Sequence, residues 1–471
     1  MTDKLSASKL YRYIPLVILA AAIAAILARD GLVAGRREPF VSYSVEVLDY
    51  RLNLVEINVK YRCSPDYQVS FSPAAGCSID PLDIAALCED GEELEVRESA
   101  GTWTVLNGRR DFDLSYQVIL MSEDRFSPLV RKKLSLLRED RFRFLGSDLF
   151  LIPEIKIAGG LLVDYGAGRP GGIFSVHRSV GSRMILENSS QLKHTVCLSG
   201  EYQSESAVIG SAEVMLVTSG AWPFRIEEIF SVIKDIVAYE IGMFGSSPHS
   251  RYLFVLDRNP VQGDSGFDYY GVHQGPNVLL LFDPRISRSD LYNLNMSVVS
   301  HEFFHNWNGE AIRPASERLM WFSEGVTVYY SYKVLLELGI IDRRQYRGKA
   351  GRIRESYLKN PYRETVPVAD AGNSDMSDKY MVKLMYDGGF LAASALDRHL
   401  EKISDGRVSL LDVLRSIYEG NEFGVLVDEE LLIDEIRNLT GYDISSFLHL
   451  LVHTPGSDAL TGAGISAREG V

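Results

Sequence analysis

The stretch SVVSHEFFHNWNGEAIRPASERLMWFSEGVTVYY, residues 297–330, decides the fold of this chain. His301 and His305 are four residues apart in it, and the apolar residues Leu291 and Val298 precede them at helical spacing. Side chains at i and i+4 project from one face of a helix, one turn apart. The sequence therefore predicts a helix whose two imidazoles can reach a single zinc ion.

Two glutamates complete this pattern. Glu302 is rotated by about 100° from His301 on a helix, so it can act on a water molecule at an open metal position instead of binding the metal. Glu324 follows His305 after a gap of eighteen residues, in the next predicted helix, and is the candidate third ligand. Two histidines, one glutamate and an open fourth position form a catalytic zinc pattern, which predicts one Zn²⁺ per chain. The alternative interpretation is a pair of ordinary helix-surface or core histidines.

Hydrophobic patterning outside this stretch divides the 471-residue chain into zones. Alternation with period two, broken by Gly and Pro clusters, predicts an N-terminal antiparallel β domain over 39–220. Helical spacing begins at about residue 221, and mixed patterns predict a zinc-binding catalytic domain over 221–338. Helical patterns predict a C-terminal helical domain over 339–455, and a Gly/Ala/Ser-rich flexible tail follows at 456–471. The predicted fold class is therefore α+β and multidomain.

Residues 1–38 are predicted to be a signal peptide or a membrane anchor. Lys4, Lys9 and Arg12 precede an uncharged apolar run at 14–28. As a helix this run would span about 22 Å, which is shorter than a hydrocarbon core of about 30 Å. A signal peptide and a short uncleaved anchor are both consistent with the pattern, and a buried core helix is a third interpretation. The first two place the rest of the chain outside the cytoplasm, in the periplasm or cell envelope, and the anchor would make the membrane a partner.

The composition excludes some classes of binding partner and some roles for the cysteines. The chain has 49 Lys and Arg against 63 Asp and Glu, a net charge of −14, which argues against nucleic acid because phosphate binding needs a basic face. The basic segment 343–359 is predicted to be a solvated helix face, with contact to a membrane surface or substrate steering as the alternative. Four cysteines without a C-x-x-C pair exclude a disulfide scaffold and argue against a zinc knuckle. One disulfide among Cys63, Cys77 and Cys88, or free buried thiols, are the two expectations.

The histidine-rich stretch resembles the glycyl aminopeptidase family of gluzincin zinc metallopeptidases. HEFFHNWNGEAIRP (301–314) is similar to the family signature H-E-x-F-H-x-W-N-x-x-x-I-R-P. WFSEGVTVYY (321–330) is similar to the family segment W-F-x-E-G-x-T-x-Y-Y, which carries the third ligand. Weaker similarity extends to four further segments, 90–105, 142–154, 386–397 and 439–448.

This resemblance implies a β domain, a thermolysin-like zincin catalytic domain and a helical region, and it implies cleavage of peptides at their amino end. It also implies that an oxyanion is stabilised by a tyrosine, which related gluzincins take from a Y-x-K-G motif. Tyr386 occupies that place here, followed by Asp387 and by Gly388 where lysine is expected. Tyr380 is the alternative, and either tyrosine could instead only pack. The PDZ domain that often follows in the family is not expected after Pro455.

The segment implied to border the cleft departs from the family pattern. The family has G-G-L-E-H where this chain has YGVHQ, Tyr270–Gln274. His273 replaces the glutamate implied to help hold the free α-amino group, and an imidazole is a poor receiver for an ammonium. Gly271 and the strand backbone could still pair with an extended peptide, and His273 could be a substrate contact. The alternatives are that His273 is an ordinary partly buried histidine and that Asp387 receives the ammonium.

These observations predict a zinc-dependent metallopeptidase that acts on peptides, with aminopeptidase specificity as the leading interpretation. His301, His305 and Glu324 would bind the metal, Glu302 would be the general base and then the general acid, and Tyr386 would stabilise the oxyanion. An endopeptidase or broad peptidase that ignores the free amine is one alternative. A catalytically silent zinc protein that serves as an envelope interaction module is the other. The sequence predicts no oligomeric state.

Overall fold

The computed structural model describes residues 40–62, 66–74, 79–120, 134–154, 161–166, 172–258, 269–374 and 377–461. The predicted signal peptide or anchor at 1–38 lies outside these ranges, as do Cys63 and Cys77. Across the described ranges, no helix has both the length and the apolar character that a membrane crossing requires. Cys88 and Cys197 are buried free thiols, so Cys88 does not form the disulfide that was one of the two expectations, and a pairing of Cys63 with Cys77 lies outside the described residues.

The first part of the chain folds into three β-sheets. Its strands are β1 (Phe40–Asp49), β2 (Leu54–Arg62), β3 (Val69–Ser72), β4 (Leu82–Cys88), β5 (Glu93–Leu94), β6 (Val96–Ser99), β7 (Thr102–Val105), β8 (Phe112–Ile119), β9 (Leu136–Leu137), β10 (Arg141–Leu145), β11 (Ile152–Pro153), β12 (Leu161–Asp164), β13 (Ile173–Phe174), β14 (Arg178–Val180), β15 (Arg183–Leu186) and β16 (Val196–Gly200). The sheets have the strand orders β14-β15-β12-β1-β2-β8-β4-β5, β13-β16-β10-β9 and β11-β3-β7-β6. Two short helices interrupt them, α1 (Gly146–Leu149) and α2 (Ser190–His194).

Alternating side chains explain why β1 and β2 pair. Val41, Tyr43 and Val45 are buried on one face of β1, and Tyr43 and Val45 lie opposite Val59 and Ile57 of β2. The large sheet is antiparallel except at one place, where β1 runs parallel to β12. The prediction of an antiparallel β domain therefore needs one correction, because the strand that follows the long insertion returns beside β1 in the same direction.

A five-stranded sheet forms the scaffold of the second part. Its strands are β17 (Gln203–Ile209), β18 (Ala212–Thr218), β19 (Arg251–Arg258), β20 (Tyr269–Gln274) and β21 (Asn277–Phe282). The strand order is β17-β18-β19-β21-β20, so β20 lies at an edge. Because β18 pairs directly with β19, this sheet crosses the predicted domain boundary at residue 220, and we assign β17 and β18 to the second part.

Helices follow the sheet and share one hydrophobic core with it, from Ala212 to Leu460. They are α3 (Ile226–Phe244), α4 (Arg288–Asp290), α5 (Met296–Phe304), α6 (Val326–Glu337), α7 (Arg343–Leu358), α8 (Lys379–Ile403), α9 (Leu410–Gly420), α10 (Glu429–Thr440), α11 (Ser445–Leu448) and α12 (Asp458–Thr461). π-helical turns occupy Leu291–Asn295, Trp321–Gly325 and His449–His453, and 3₁₀ turns occupy Glu317–Leu319 and Val368–Asn373. A parallel pair joins β22 (Ile312–Pro314) to β23 (Val425–Val427).

Two predictions about the C-terminal part need correction. Leu460 is buried in the core, so the flexible tail predicted from residue 456 does not begin before α12 ends. The basic helix α7 is only partly solvated, because Lys349 is buried and its ammonium lies 5.1 Å from the centroid of the Tyr332 ring. Burial, followed by the charge of Arg352, lowers the pKa of Lys349 to about 8.

Candidate metal centre and active site

Helix α5 brings the two histidines to the edge of the core. Val299 and Phe303 are fully buried beneath the helix, whereas His301 and Glu302 are only partly buried. The helix is entered through the π-helical turn Leu291–Asn295, a wide turn that is frequent at functional sites. The apolar stripe therefore fixes the rotation of α5, and this rotation turns the face that carries His301 and Glu302 away from the core.

The three predicted metal ligands converge on one point. His301 Nε2 and His305 Nε2 are 3.0 Å apart, and they lie 3.3 Å and 3.4 Å from Glu324 Oε2. Ligand atoms bound tetrahedrally to zinc at about 2.1 Å stand roughly 3.4 Å from one another, so this set fits one ion. The Oε2 atom of Glu324 is buried without a conventional hydrogen bond from any described residue, which leaves its lone pairs to a metal.

The electrostatics of the cluster favour a cation at this point. Burial alone would lower the pKa of His305, but the Glu324 carboxylate and then Glu302 raise it to about 9. Burial likewise would raise the pKa of Glu324, yet the His305 and His301 imidazoles hold it well below its usual range. Two imidazoles and a carboxylate that share one point attract positive charge, whether that charge is a proton or a divalent ion.

Asn308 ties the two ligand-bearing segments together. His305 Nδ1 donates a hydrogen bond to the backbone oxygen of Asn308 at 2.9 Å, which directs the Nε2 lone pair toward the metal position. The buried Asn308 side chain donates from Nδ2 to the backbone oxygens of Phe322 and Ser323, both at 3.0 Å, and to Thr327 Oγ1 at 3.2 Å. One residue thus orients a histidine of the first segment and anchors the turn that precedes α6.

The predicted general base lies against strand β20. A Cβ atom built on Gly271 would come within 2.6 Å of Glu302 Oε1 and within 2.5 Å of Val298 Cγ1, so only glycine allows the strand to approach this closely. Among the described strands, β20 pairs only with β21, so its other edge faces away from this sheet. An extended peptide paired with that edge would therefore pass beside the Glu302 carboxylate.

Tyr386, on α8, also lies close to the ligand cluster. Its ring centroid lies 6.2 Å from that of His301. Burial, and then the Glu324 and Glu302 carboxylates, raise the pKa of Tyr386 well above its usual range, so the hydroxyl keeps its proton and can donate it. Tyr380, the alternative, is 43% exposed at the start of α8, and the Lys379 ammonium lies over its ring.

Glycines explain how Tyr386 comes so close. A Cβ atom on Gly325 would lie 2.3 Å from Gly389 Cα, and one on Gly389 would lie 2.7 Å from the backbone oxygen of Trp321. The α8 backbone therefore packs directly on the turn that carries Glu324. Gly388, which occupies the position where lysine was expected, is also required, since its Cβ would meet Val368 Cγ2 at 2.7 Å.

Asp387 is directed to another neighbour. Burial raises the pKa of Asp387 to about 6, although a hydrogen bond from Ser356 and the charge of Lys383 lower it. None of the candidate metal ligands contributes to this pKa shift. Ser356 belongs to α7 and Lys383 to α8. These contacts give no support to the expectation that Asp387 receives a substrate ammonium.

A second cluster of charged groups lies beside the metal ligands. Glu310 Oε2 is 2.9 Å from His249 Nε2 and 3.5 Å from His273 Nε2. The ring of His273 is 6.0 Å from the ring of His305, centroid to centroid. Burial alone would raise the pKa of Glu310, but the hydrogen bond with His249 and the close contact with His273 outweigh it and hold that pKa well below its usual range.

Sequence reasoning did not identify Asn308, Glu310 or His249 as site residues. Asn308 lies inside the similar segment 301–314, so its position three residues after His305 was the available signal. Glu310 and His249 carried no comparable signal, because they are far apart in sequence and meet only where the loop before β19 packs on the segment after α5.

The fold and the ligand set define a class before any relative is considered. Two histidines one helical turn apart, with a glutamate from the following helical segment, form the ligand arrangement of gluzincin metallopeptidases. The sequence model of the M61 glycyl aminopeptidase family matches residues 294–389, which include all three ligands and Tyr386. The predicted resemblance to this family is confirmed over that segment.

Curated relatives match about one third of the chain or less. Leucine aminopeptidase 2 of Saccharomyces cerevisiae is 24% identical over 154 residues, which are 32% of this chain and 22% of that protein. Leucine aminopeptidase 2 of Vanderwaltozyma polyspora is 26% identical over 141 residues, which are 29% of this chain and 20% of that protein. The chain spans about one fifth of the length of these relatives.

Solved structures match over most of the chain. An aminopeptidase N family protein from Idiomarina loihiensis is 20% identical with a TM-score of 0.75, covering 90% of this chain and 78% of that chain. An M1 zinc metallopeptidase from Deinococcus radiodurans, bound to a Tyr-Ser-Ala substrate, is 16% identical with a TM-score of 0.56, covering 90% of this chain and 95% of that chain. These likenesses confirm the predicted α+β fold, in which a β part precedes a zincin-like part and helices.

Proposed function

We propose that this protein is a zinc-dependent peptidase that removes residues from the amino end of peptides. The single observation that carries the proposal is the convergence of His301 Nε2, His305 Nε2 and Glu324 Oε2, which lie 3.0 to 3.4 Å from one another. Three protein ligands leave one position of a tetrahedral ion open to water or substrate, unlike a structural site with four. The matched M61 segment supports the same reaction class.

Each residue of the site has a role in this reaction. Zinc held by the three ligands would supply Lewis acidity and acidify a water molecule. Glu302 accepts the proton of the attacking water and then returns it to the leaving amine. Tyr386, whose hydroxyl stays protonated, donates a hydrogen bond to the oxygen that becomes negatively charged. The edge of β20 beside Gly271 holds the peptide backbone extended.

The decisive variant is Glu302→Gln, because the amide has nearly the same shape as the carboxylate and cannot accept the proton. We expect retained zinc and a rate that falls by roughly 100- to 10,000-fold. Zinc would be measured by elemental analysis, and cleavage by mass spectrometry on a peptide library with and without a chelator. Glu317→Gln, which makes the same change at an exposed position, is the matched control.

The library also separates the alternatives. Cleavage only at free amino ends supports the aminopeptidase, whereas equal cleavage of acetylated peptides would indicate an endopeptidase or a broad peptidase. A zinc-loaded protein that cleaves no peptide would overturn the proposal and favour a silent interaction module. Unchanged turnover in Glu302→Gln would overturn the assigned role of that residue.

We further propose that the protein acts outside the cytoplasm, exported or anchored through residues 1–38. The support is the sequence of that segment, in which Lys4, Lys9 and Arg12 precede the apolar run 14–28. Cell fractionation and N-terminal sequencing of the mature protein test this proposal. Recovery of the intact chain from the cytoplasm would contradict it.

A further inference from the structure

The cluster around Glu310 has no role in the reaction described above, although it lies beside the metal ligands. Three separate elements build it: His249 from the loop before β19, His273 from β20 and Glu310 from the segment after α5. The Glu310 side chain keeps only 20% of its exposure, and that of His273 keeps 14%. A carboxylate this buried needs partners, since an ion removed from water without them is strongly unfavourable.

The partners leave part of the carboxylate available. Both imidazoles contact the same oxygen, Oε2, and among the described residues none donates a hydrogen bond to Oε1. His273 Nε2 is itself buried without a hydrogen bond that has good geometry from the described part of the chain. A cationic group that entered here could therefore bind Oε1 of Glu310.

The position of the cluster matches one end of a peptide substrate. Gly271 lies against the general base Glu302, and His273, two residues along β20, projects from the same face of the strand. The α-amino nitrogen of a terminal residue is only about 2.5 Å from the carbonyl carbon that is attacked, because one Cα separates them. A group that binds this nitrogen must therefore lie next to the metal ligands, as the Glu310 cluster does through the 6.0 Å contact between the His273 and His305 rings.

We propose that Glu310 receives the free α-ammonium group of the substrate, with His249 and His273 as positioning residues that hold its carboxylate. This inference rests on the proposed peptidase function and deepens it. The anionic receiver then comes from the segment after the metal-binding helix instead of from β20, where His273 stands. The ligand class is a peptide with an unmodified amino end, and acetylation removes the charge that Glu310 recognises.

Glu310→Gln tests the proposal, because it removes the charge and keeps the shape. Two peptides of one sequence, one with a free and one with an acetylated amino end, would be compared by kcat/KM in the holoenzyme. We expect kcat/KM for the free-amine peptide to fall roughly 10- to 100-fold, with little change for the acetylated peptide. Glu310→Asp, which keeps the charge, should lose less than Glu310→Gln, and the exposed Glu317→Gln should match wild type.

A binding measurement removes the dependence on turnover. In the Glu302→Gln background, calorimetry should show that the free-amine peptide binds more tightly than the acetylated peptide. Adding Glu310→Gln should abolish that difference. Adding His273→Glu to Glu310→Gln places a carboxylate on β20 and should restore part of the preference. Zinc content and melting temperature of every variant establish that the site remains intact.

The outcomes are distinguishable from failure of the proposed function. If no peptide is cleaved by the zinc-loaded wild type, the proposed function fails. If the wild type prefers free amines and Glu310→Gln keeps that preference, the inference about Glu310 is overturned while the function stands. Equal losses for both peptides, with Glu310→Asp no better, would mean that the cluster is only structural and would also overturn it.

Discussion

Replacing Asn308 with alanine should weaken metal binding although Asn308 is not a ligand. The side chain donates to the backbone oxygens of Phe322 and Ser323 and to Thr327 Oγ1, in the segment that carries Glu324. In the alanine variant, Ser323 keeps a donor, because Thr327 Oγ1 also bonds its oxygen at 2.6 Å. The Phe322 oxygen loses the Asn308 donor, and the turn loses its anchor to the histidine segment.

The structure sets the size of this effect. Loss of one hydrogen bond to a buried backbone oxygen costs about 0.5–1.5 kcal/mol of unfolding free energy. Loss of a residue that orients metal ligands typically weakens metal affinity by roughly 10- to 100-fold. Asn308→Asp should be worse than Asn308→Ala, because it places a carboxylate oxygen against two carbonyl oxygens in a buried site.

Two measurements check this prediction: zinc affinity, by competition with a chelator, and unfolding free energy, by denaturant titration. Asn277→Ala is the matched control, since Asn277 is equally buried and donates to the backbone oxygens of His194 and Gln274, away from the ligands. We expect both variants to lose stability and only Asn308→Ala to lose zinc affinity. Wild-type zinc affinity in Asn308→Ala, or equal affinity losses in both variants, would refute the reasoning.

Three further predictions follow from the same site and its surroundings. Gly271→Ala should lower kcat at least 10-fold with zinc retained, because the new methyl group would displace Glu302; steady-state kinetics and elemental analysis test this. Tyr386→Phe should lower kcat roughly 100- to 1,000-fold with zinc content unchanged, and Tyr380→Phe should not; a similar loss in both would contradict the assignment. Lys349→Met should raise the melting temperature at pH 7, because burial lowers the pKa of Lys349 to about 8 in the folded protein. The unfolded chain holds the Lys349 proton up to about pH 10.5. The stability of the wild type therefore rises between about pH 8 and pH 10.5, and the advantage of methionine disappears above that range. A difference in melting temperature that stays constant across the range would count against this explanation.

The candidate metal centre was predictable because its signal is local. His301 and His305 are one helical turn apart, so the periodicity of α5 alone places both imidazoles on one face. Glu324 was predictable from the next helical segment and from the family resemblance. Asn308 was not, because its function depends on the direction of its carboxamide toward Phe322, which no sequence pattern encodes.

Contacts between residues far apart in sequence account for the other differences between the predictions and the structure. The pairing of β18 with β19 was hidden, because helix α3 separates the two strands in sequence and marks the point where the periodicity changes. The burial of Lys349 was hidden by the many basic residues around it, which are typical of a solvated face. Glu310 and His273 meet only in the folded chain, so neither residue type nor spacing predicts their contact.

The backbone contact between Gly325 and Gly389 limits how this scaffold can be redesigned. A methyl group at either position would push α8 away from the turn that carries Glu324, and Tyr386 would move away from the candidate metal ligands with it. Mutagenesis libraries built on this scaffold should therefore vary side chains around the candidate site and leave both glycines unchanged. Variation at Gly325 or Gly389 would mostly yield proteins in which Tyr386 no longer lies close to Glu324.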